Sequence, residues 1–344
     1  MTKLAIQIPC YNEAQTLADT LADLPETVPG ISEIFILVID DGSSDDTVQV
    51  ALESGADYVV RHLKNRGLAQ AFMTGITTAL ALGADIIVNT DADNQYPGNY
   101  IVDLVNPILN GEADLVIGDR KPGTNIHFSP IKRLLETFGS WVIRLISRTD
   151  VPDAPSGFRA YSRFAALKIH VNNKYSYTLE TLIQAGRERL ALAHIPVNTN
   201  PAVRPSRLHK GILNFIWRQS GAIIRSYVIY QPLKFFVLLG APFFLFGMSL
   251  IIRFLYFYFT GSSGSTRYLQ SVSIGGTFTI FGVLLIFLGL LGDAIRANRK
   301  MLEEILSQLR DKSQTEPSAE KIILNGTQIL RGKKKVETPK NTHN

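Results

Sequence analysis

Between Glu188 and Asp293 the sequence has no acidic residue, although Asp and Glu total 30 in its 344 residues. A solvated surface carries charges of both signs, so this stretch is not an ordinary soluble domain. It holds two apolar runs instead, Phe235–Ile252 and Leu269–Gly292. Each is long enough to cross a hydrocarbon core of roughly 30 Å as a helix. Cysteine is nearly absent: Cys10 is the only one, which excludes an intramolecular disulfide and leaves the compartment unreadable from cysteine usage. A signal-peptide core is also missing, because Met1-Thr2-Lys3 leads into only five mostly apolar residues, Leu4–Ile8. The globular part is therefore expected to stay in the cytoplasm. Outside the C-terminal tail there is no excess charge, since residues 296–344 hold eleven Lys/Arg against six acids and the formal net charge of the chain is +5. That distribution speaks against nucleic acid as a partner. It leaves two readings of the tail open: attraction to anionic lipid, or solubility with a positive-inside orientation.

The N-terminal part alternates short apolar runs with helical patterns. Leu4–Ile8, Ile34–Ile39, Tyr58–Val60, Asp85–Asn89 and Asp114–Ile117 read as strands; Ala14–Leu24, Asp46–Ser54, Leu68–Leu82 and Asn99–Leu109 read as helices between them. Such alternation predicts an α/β fold with a mostly parallel sheet and helices on both faces. A helix over Ile131–Ile146, a strand near Gly157–Tyr161, a helix near Thr178–Arg187 and a strand over Leu192–Pro196 continue the domain. Gly211–Tyr230 is apolar except for one side bearing Asn214, Arg218 and Arg225, the pattern of a helix lying in a membrane interface. The two spans, joined by Thr260–Gln270, form a helical hairpin. Lys234 precedes it and Arg296, Arg299 and Lys300 follow it, so both termini are expected to face the cytoplasm. Beyond Lys312 the polar composition predicts disorder.

Ligands of such sheets collect beyond the carboxyl ends of the strands, where the polar clusters of this sequence fall. Asn89-Thr90-Asp91-Ala92-Asp93-Asn94-Gln95 follows a strand directly. Asp91 and Asp93 project the same way from an extended strand end, so both carboxylates can face one hard cation such as Mg²⁺ or Mn²⁺ together with phosphate oxygens. Pro9-Cys10-Tyr11-Asn12-Glu13 and Asp40-Asp41-Gly42-Ser43-Ser44-Asp45 end two more strands. There Tyr11 offers a stacking face and Asp40 a hydrogen-bond acceptor for a base or ribose. Capping by Asn12 and Ser44 and a tight turn at Gly42 are the plainer readings of the same residues. His127 and His209 lack metal-ligand spacing and are read as structural.

Taken together, Pro9-x-Tyr11-Asn12-Glu13, Asp40-Asp41-Gly42-Ser43, Asn65-Arg66-Gly67, Asp91-x-Asp93-x-Gln95, Gly118-Asp119-Arg120 and Asp153-Ala-Pro-Ser-Gly157-Phe158-Arg159 resemble, in order and spacing, the family 2 glycosyltransferases of the Rossmann-like GT-A fold. The resemblance is closest to the polyprenyl-phosphate branch, which includes dolichol-phosphate mannosyltransferases, and spans about residues 4–300. It implies that Pro9, Tyr11, Glu13, Asp40, Gly67 and Asp91 bind the nucleotide-sugar, and that Asp91, Asp93 and Gln95 meet the metal and diphosphate. It also implies that Arg120 and Arg204 touch the diphosphate or the acceptor phosphate. Near the membrane the branch reads Arg-x-x-Gly-x-Ser-Lys, whereas this chain reads Arg204-Pro-Ser-Arg207-Leu-His209-Lys210, which makes the site more basic.

The implied reaction is an inverting transfer of a hexose from a nucleotide-sugar, of UDP-glucose or GDP-mannose type, to a polyprenyl phosphate at the cytoplasmic membrane face. Asp93, Arg120 and Asp153 are the candidate catalytic residues, with Asp153 either orienting the acceptor or metal or acting as a base. Arg120, Lys132, Arg133, Arg204, Arg207 and Lys210 are candidates for the acceptor phosphate, although Lys132 and Arg133 also read as a solvated helix face. The expected organisation is a catalytic domain over 1–200, an interfacial segment over 201–233, a transmembrane hairpin over 234–296 and a basic cytoplasmic helix with a disordered tail over 297–344. The expected partners are the nucleotide-sugar, the polyprenyl phosphate and membrane lipids; homo-oligomerisation is left open. A non-catalytic membrane adaptor and a processive polysaccharide synthase are the alternatives. Against the second, the chain shows no Gln-x-x-Arg-Trp acceptor motif and has only two spans.

Overall fold

The computed structural model describes residues 2–121, 144, 147, 149–171, 177–201, 227–228, 231–260, 269–312 and 327–332. Two compact units emerge, one of residues 1–207 with 306–344 and one of residues 208–305. The first is built on an eight-stranded sheet of order β7-β5-β6-β4-β1-β2-β3-β8. Its strands are β1 Lys3–Cys10, β2 Glu33–Asp40, β3 Tyr58–His62, β4 Ile86–Asn89, β5 Leu115–Asp119, β6 Arg159–Ser162, β7 Leu192–Pro196 and β8 Thr327–Arg331. The pairs β1–β2, β1–β4, β2–β3 and β5–β7 are parallel. The strands β6 and β8 run against their neighbours. The helices between the strands are α1 Leu17–Ala22, α2 Thr47–Glu53, α3 Leu68–Ala81, α4 Tyr100–Leu109, α5 Arg163–Lys168 and α6 Tyr177–Arg187.

Burial explains why the strands read as unbroken apolar runs. The central strand β1 is buried at every position after Lys3, as a parallel strand covered on both faces must be. Leu4, Ile6, Ile8, Val38, Val88 and Val116 share one core with Leu17, Leu21, Ile101 and Leu104 from the helices. The helix expected over Ala14–Leu24 shrinks to α1, because the chain before it is used in a tight loop: Thr16 and Leu17 N–H both donate to the Glu13 carbonyl, at 3.1 and 3.0 Å. Helix α5 was not expected; at six residues it is too short to show a period, and Ser162 Oγ caps it by accepting from Ala165 N–H at 3.1 Å.

The tail requires a correction. Residues beyond Lys312 were expected to be disordered, yet Thr327–Arg331 pair antiparallel with β3. An open sheet edge offers N–H and C=O partners to an extended segment, and Leu330 packs against the domain core. Average composition over a polar tail conceals five residues that suit an edge strand.

The second unit contains α7 Pro232–Phe259 and most of α8 Leu269–Lys312. Both are long and apolar enough to cross a membrane. Their outward faces expose large apolar side chains such as Leu238, Leu245, Phe246, Ile280, Leu284 and Phe287. Such faces call for lipid as the solvent, so the chain is a membrane protein. The two helices pack on glycine: a Cβ at Gly240 would lie 2.8 Å from the Gly282 carbonyl oxygen, and one at Gly247 only 2.5 Å from that of Gly275. In lipid, such close backbone approach replaces the missing hydrophobic drive between helices. Phe243 stacks on Phe278 between these levels, with centroids 6.0 Å apart. The interfacial helix expected over Gly211–Tyr230 and the acceptor candidates Lys132, Arg133, Arg204, Arg207 and Lys210 lie outside the described residues, Tyr227 and Val228 excepted; so do His127 and His209.

Candidate functional site

The strand order reverses direction between β1 and β4, since β2 and β3 extend to one side of β1 and β4 to the other. At such a switch point the loops part and leave a crevice at the carboxyl edge. The loops after β1, β2, β4 and β5 surround that edge, and they carry the sequence motifs.

The first two loops are zipped together. Asn12, at φ 56°, turns back so that its N–H donates to Ser43 Oγ at 2.8 Å, while its Oδ1 accepts from Ser44 N–H at 2.8 Å. Glu13 N–H donates to Thr47 Oγ1 at 2.9 Å, and Ala14 N–H to Asp45 Oδ2 at 3.2 Å. Asn12 and Ser44 therefore serve each other rather than capping helices. The zipped loops leave Tyr11 exposed, at 42%, as a ring standing at the rim.

Behind them, Asp40 and Asp41 are buried. Asp40 Oδ1 accepts from Ser43 N–H at 3.0 Å, and its Oδ2 faces Arg61 Nε at 3.3 Å without an aligned hydrogen bond. Asp41 is more heavily engaged. It accepts from Arg66 N–H at 2.9 Å and Gly67 N–H at 2.8 Å, and lies 2.7 Å from His62 Nδ1. His62 Nε2 in turn meets Thr74 Oγ1 at 3.0 Å. A buried carboxylate with this many partners is an anchor. It holds the Asn65-Arg66-Gly67 turn, where Gly67 sits at φ 95°, a conformation open to glycine.

The loop after β4 is different in kind. Asp91 has its carboxyl pKa pushed up to about 7, first by burial and then by Asp93, with Glu13 adding to the rise and Arg120 opposing it. Among the described residues no side-chain hydrogen bond reaches Asp91, so the negative charge there is short of compensation. A hard cation fits this shortage, because carboxylate oxygens are its preferred ligands. No third His, Cys, Asp or Glu joins the pair as a ligand group among the described residues. A bound ion would then complete its shell from phosphate or water. Gln95 is anchored through its backbone: its N–H donates to Asp93 Oδ1 at 3.3 Å and its carbonyl accepts from Asn200 N–H at 2.9 Å.

A polar brace fixes this loop from below. Gln7 Nε2 donates to Asn89 Oδ1 at 2.9 Å, and Asn89 Nδ2 donates to the Gly157 carbonyl and Tyr177 hydroxyl at 2.9 and 3.0 Å. Tyr177 stacks on Phe72 with centroids 4.1 Å apart. A Cβ at Gly157 would stand 3.2 Å from Asp91 Oδ1 and 2.8 Å from the Tyr177 hydroxyl, so glycine there keeps the carboxylate in place.

On the far side, Arg120 pairs with Asp153. Its Nε and backbone N–H reach Asp153 Oδ2 at 2.7 and 3.0 Å, and Nη2 reaches Oδ1 at 2.9 Å. Asp153 is fully buried and both its oxygens are occupied. Three hydrogen bonds from Arg120 engage both oxygens of the carboxylate, and this bidentate pairing fixes the orientation of the guanidinium. Arg159 is likewise buried, but its acceptors among the described residues are neutral: the Ser156, Thr178 and Ala154 carbonyls at 2.8, 2.9 and 2.7 Å and Thr181 Oγ1 at 2.6 Å. It staples the 153–159 loop to α6.

Of the residues singled out by sequence, the structure brings Glu13, Asp91, Asp93 and Arg120 into electrostatic reach, with Asp153 behind Arg120. Pro9, Asp40 and Gly67 belong to the neighbouring frame. Sequence alone placed Asp41 and Asn89 inside the motifs without giving either a role, and did not single out His62 or Tyr177. A signal existed for Gln7 and Asn89, polar residues inside or ending apolar runs; none existed for His62, whose partner lies 21 positions away.

The family model of glycosyl transferase family 2 matches residues 5–169. An uncharacterized protein from Methanocaldococcus jannaschii is 33% identical over 57% of this chain and 81% of its own length. The UDP-N-acetylglucosamine–dolichyl-phosphate N-acetylglucosaminyltransferase of Methanococcus voltae is 28% identical over 56% of this chain and 83% of its own. The undecaprenyl-phosphate mannosyltransferase of Micrococcus luteus is 28% identical over 55% and 80%. In fold, the chain is similar to glucosyl-3-phosphoglycerate synthase of Mycobacterium tuberculosis, solved with Mn²⁺, UDP-glucose and phosphoglyceric acid, at a TM-score of 0.52 and 23% identity over 66% of this chain and 79% of that one. The family match, the overlap with most of each relative's length and the shared sheet agree with the motifs along its carboxyl edge: this chain belongs to the family 2 glycosyltransferases and is an enzyme of that family.

Proposed function

We propose that the enzyme transfers a hexose, with inversion, from a UDP-glucose- or GDP-mannose-type donor to a polyprenyl phosphate at the cytoplasmic face of the membrane. The observation that carries this reading is the union, in one chain, of two neighbouring carboxylates at the switch point, the pKa of Asp91 being raised by burial and by Asp93, with a hairpin whose outer surface requires lipid. A catalytic domain tied to a membrane suits an acceptor that cannot leave it. The relatives named for dolichyl-phosphate and undecaprenyl-phosphate transfer support the same acceptor class.

The chemistry follows from the residues. A lipid phosphate has a second pKa of about 6 and is mostly ionised at neutral pH, so it attacks the anomeric carbon without a strong base. That agrees with Asp153 having both oxygens on Arg120. Held so, the guanidinium can meet a phosphate without a search for its rotamer. Asp91 and Asp93 would hold the divalent ion, Mg²⁺ or Mn²⁺. When bound, the ion supplies Lewis-acid charge to the departing diphosphate. Tyr11 at the rim presents an exposed ring for the base, and the Asp41-anchored turn shapes the neighbouring wall. Attack by one nucleophile, with no enzyme-bound sugar, inverts the anomeric configuration.

The membrane orientation gains support from β8. A strand that follows the hairpin pairs in the same sheet as strands that precede it, so an even number of crossings separates them. The flanking Lys234, Arg296, Arg299 and Lys300 favour the cytoplasm as that side.

The test uses the full-length protein in lipid nanodiscs with a panel of nucleotide-sugars, Mg²⁺ or Mn²⁺, and undecaprenyl or dolichyl phosphate, followed by mass analysis of the lipid. A hexosyl-phospholipid is the expected product. Transfer to water-soluble acceptors with none to polyprenyl phosphate would overturn the proposal.

A further inference from the structure

We infer that the C-terminal strand β8 is a positioning element of the donor pocket, acting through β3; the donor assignment rests on the function proposed above, whereas the positioning itself does not. The strand pairs with the whole of β3, from Tyr58 opposite Arg331 to His62 opposite Thr327. Its attachment is specific. Gly332 N–H donates to the Asp57 carbonyl at 2.9 Å, and a Cβ at Gly332 would fall 2.0 Å from the Ala56 carbonyl oxygen, a contact that excludes every other residue. Leu330 adds apolar packing against the core.

What β3 carries gives this pairing its consequence. Opposite Gln328 and Thr327 stand Arg61 and His62. Arg61 faces Asp40 Oδ2 at 3.3 Å and donates to the Ser43 carbonyl at 3.4 Å. His62 holds Asp41, and Asp41 holds the amides of Arg66 and Gly67. Both turns that border the crevice on this side are thus tied to the last two residues of a strand whose outer edge is β8. Without the tail, β3 becomes a five-residue edge strand with its outer N–H and C=O groups in water, and edge strands fray from their ends. Arg61 and His62 form one of those two ends. A tail that the composition marks as surplus therefore holds the walls of a pocket far from it in sequence.

Two variants of the full-length protein test this: deletion of residues 327–344, and Gly332→Val, which dislodges the strand by its clash and touches nothing near the pocket. Hydrogen exchange is read first, because it needs no substrate. In both variants the amides of Ser43, Arg66 and Gly67 should exchange about tenfold faster or more, while those of Leu104 and Val105 in α4 keep their wild-type rates. In steady-state assays donor KM should rise about three- to tenfold with kcat and acceptor KM within twofold. A synthetic peptide of residues 325–334 should restore both readouts to the deletion variant. Unchanged exchange at residues 43, 66 and 67 would overturn the inference, and so would uniform acceleration that includes α4, since that reports general destabilisation. Exchange that changes as expected in a protein that transfers no hexose to any lipid phosphate would defeat the proposed function and leave the role of β8 standing.

Discussion

The acids at the end of β2 and those at the end of β4 sit on the same edge of one sheet, one strand apart, and the fold treats them in opposite ways. Asp41 is surrounded by two backbone amides and the His62 ring, whereas Asp40 accepts from Ser43 N–H on one oxygen and faces Arg61 as an ion pair with the other. Asp91 has its pKa raised by burial and by Asp93, with Arg120 as the opposing charge. Buried carboxylates that are saturated with donors stabilise the structure around them. Carboxylates left in mutual repulsion raise the energy of the empty protein and lower that of a cation complex. The comparison of Asp41 with Asp91 teaches that acidity at a strand end does not set how a carboxylate is held, whereas the donors that reach it do.

The sharpest way to break the comparison is to neutralise each side. Asp91→Asn or Asp93→Asn should lower transfer roughly 10³-fold, corresponding to the several kcal/mol that charge stabilisation of a leaving group supplies. Each variant should still fold, since the substitution relieves repulsion and leaves the packing of the loop intact. Turnover assays with parallel melting curves would check both halves. Full activity of both variants under stringent metal chelation would place the catalytic charge elsewhere.

The next effect concerns the orienting pair. Arg120→Lys removes the bidentate geometry and should reduce kcat about 10²-fold, in the range of losing one aligned donor to a developing charge. Asp153→Asn leaves a buried guanidinium without its counter-charge and should destabilise the domain by about 3 kcal/mol. If Asp153 were instead a base, its loss would be partly rescued at high pH. Rate profiles between pH 6 and about 9 decide this, and no rescue is expected.

On the scaffold side, Asp41→Asn should cost about 2 kcal/mol of stability, because an amide can no longer accept from every donor that faces it. Donor KM should rise about tenfold while kcat on bound donor changes little. An equal fall in kcat with unchanged KM would show that the β2 end, too, takes part in the chemistry.

The smallest effect is one of linkage. The folded-state pKa of Asp91 lies near 7 against a reference of 3.8. Its protonated form is therefore favoured by folding, and the stability it contributes is complete below about pH 4 and lost as pH rises through about 7. Melting temperatures of metal-free protein should fall in that window relative to Asp91→Asn, and Mg²⁺ or Mn²⁺ should close the gap above pH 7. A gap that does not vary with pH would mean that Asp91 is ordinarily ionised in the fold.

Much of the architecture was legible along the chain because it rests on local pattern. The runs Leu4–Ile8, Ile34–Ile39 and Asp114–Ile117 read as strands because central strands of a covered parallel sheet have no solvent face. The spans Phe235–Ile252 and Leu269–Gly292 fall within α7 and α8 because membrane helices must be apolar all round. Helix α1 was overdrawn because Glu13 and Thr16 were committed to a loop that only the neighbouring strand end reveals. The antiparallel run of β6 was hidden because its residues, Arg159–Ser162, are buried in the same way as those of a parallel strand.

By itself, then, the sequence determined most of the strands and helices described for the first unit, the two spans and the cluster of acids at the carboxyl edge, all consequences of which residues can be buried and how often they recur. Only the tertiary structure decided which donors hold Asp41 and Asp153, because Gly67 N–H, the His62 ring and the Arg120 guanidinium come from positions 21 to 33 residues away. Only the tertiary structure, likewise, turned a polar tail into an edge strand. Pairing depends on an open β3 edge and on room at the Ala56 carbonyl for a residue without a side chain, and neither condition is written in the residues that meet it.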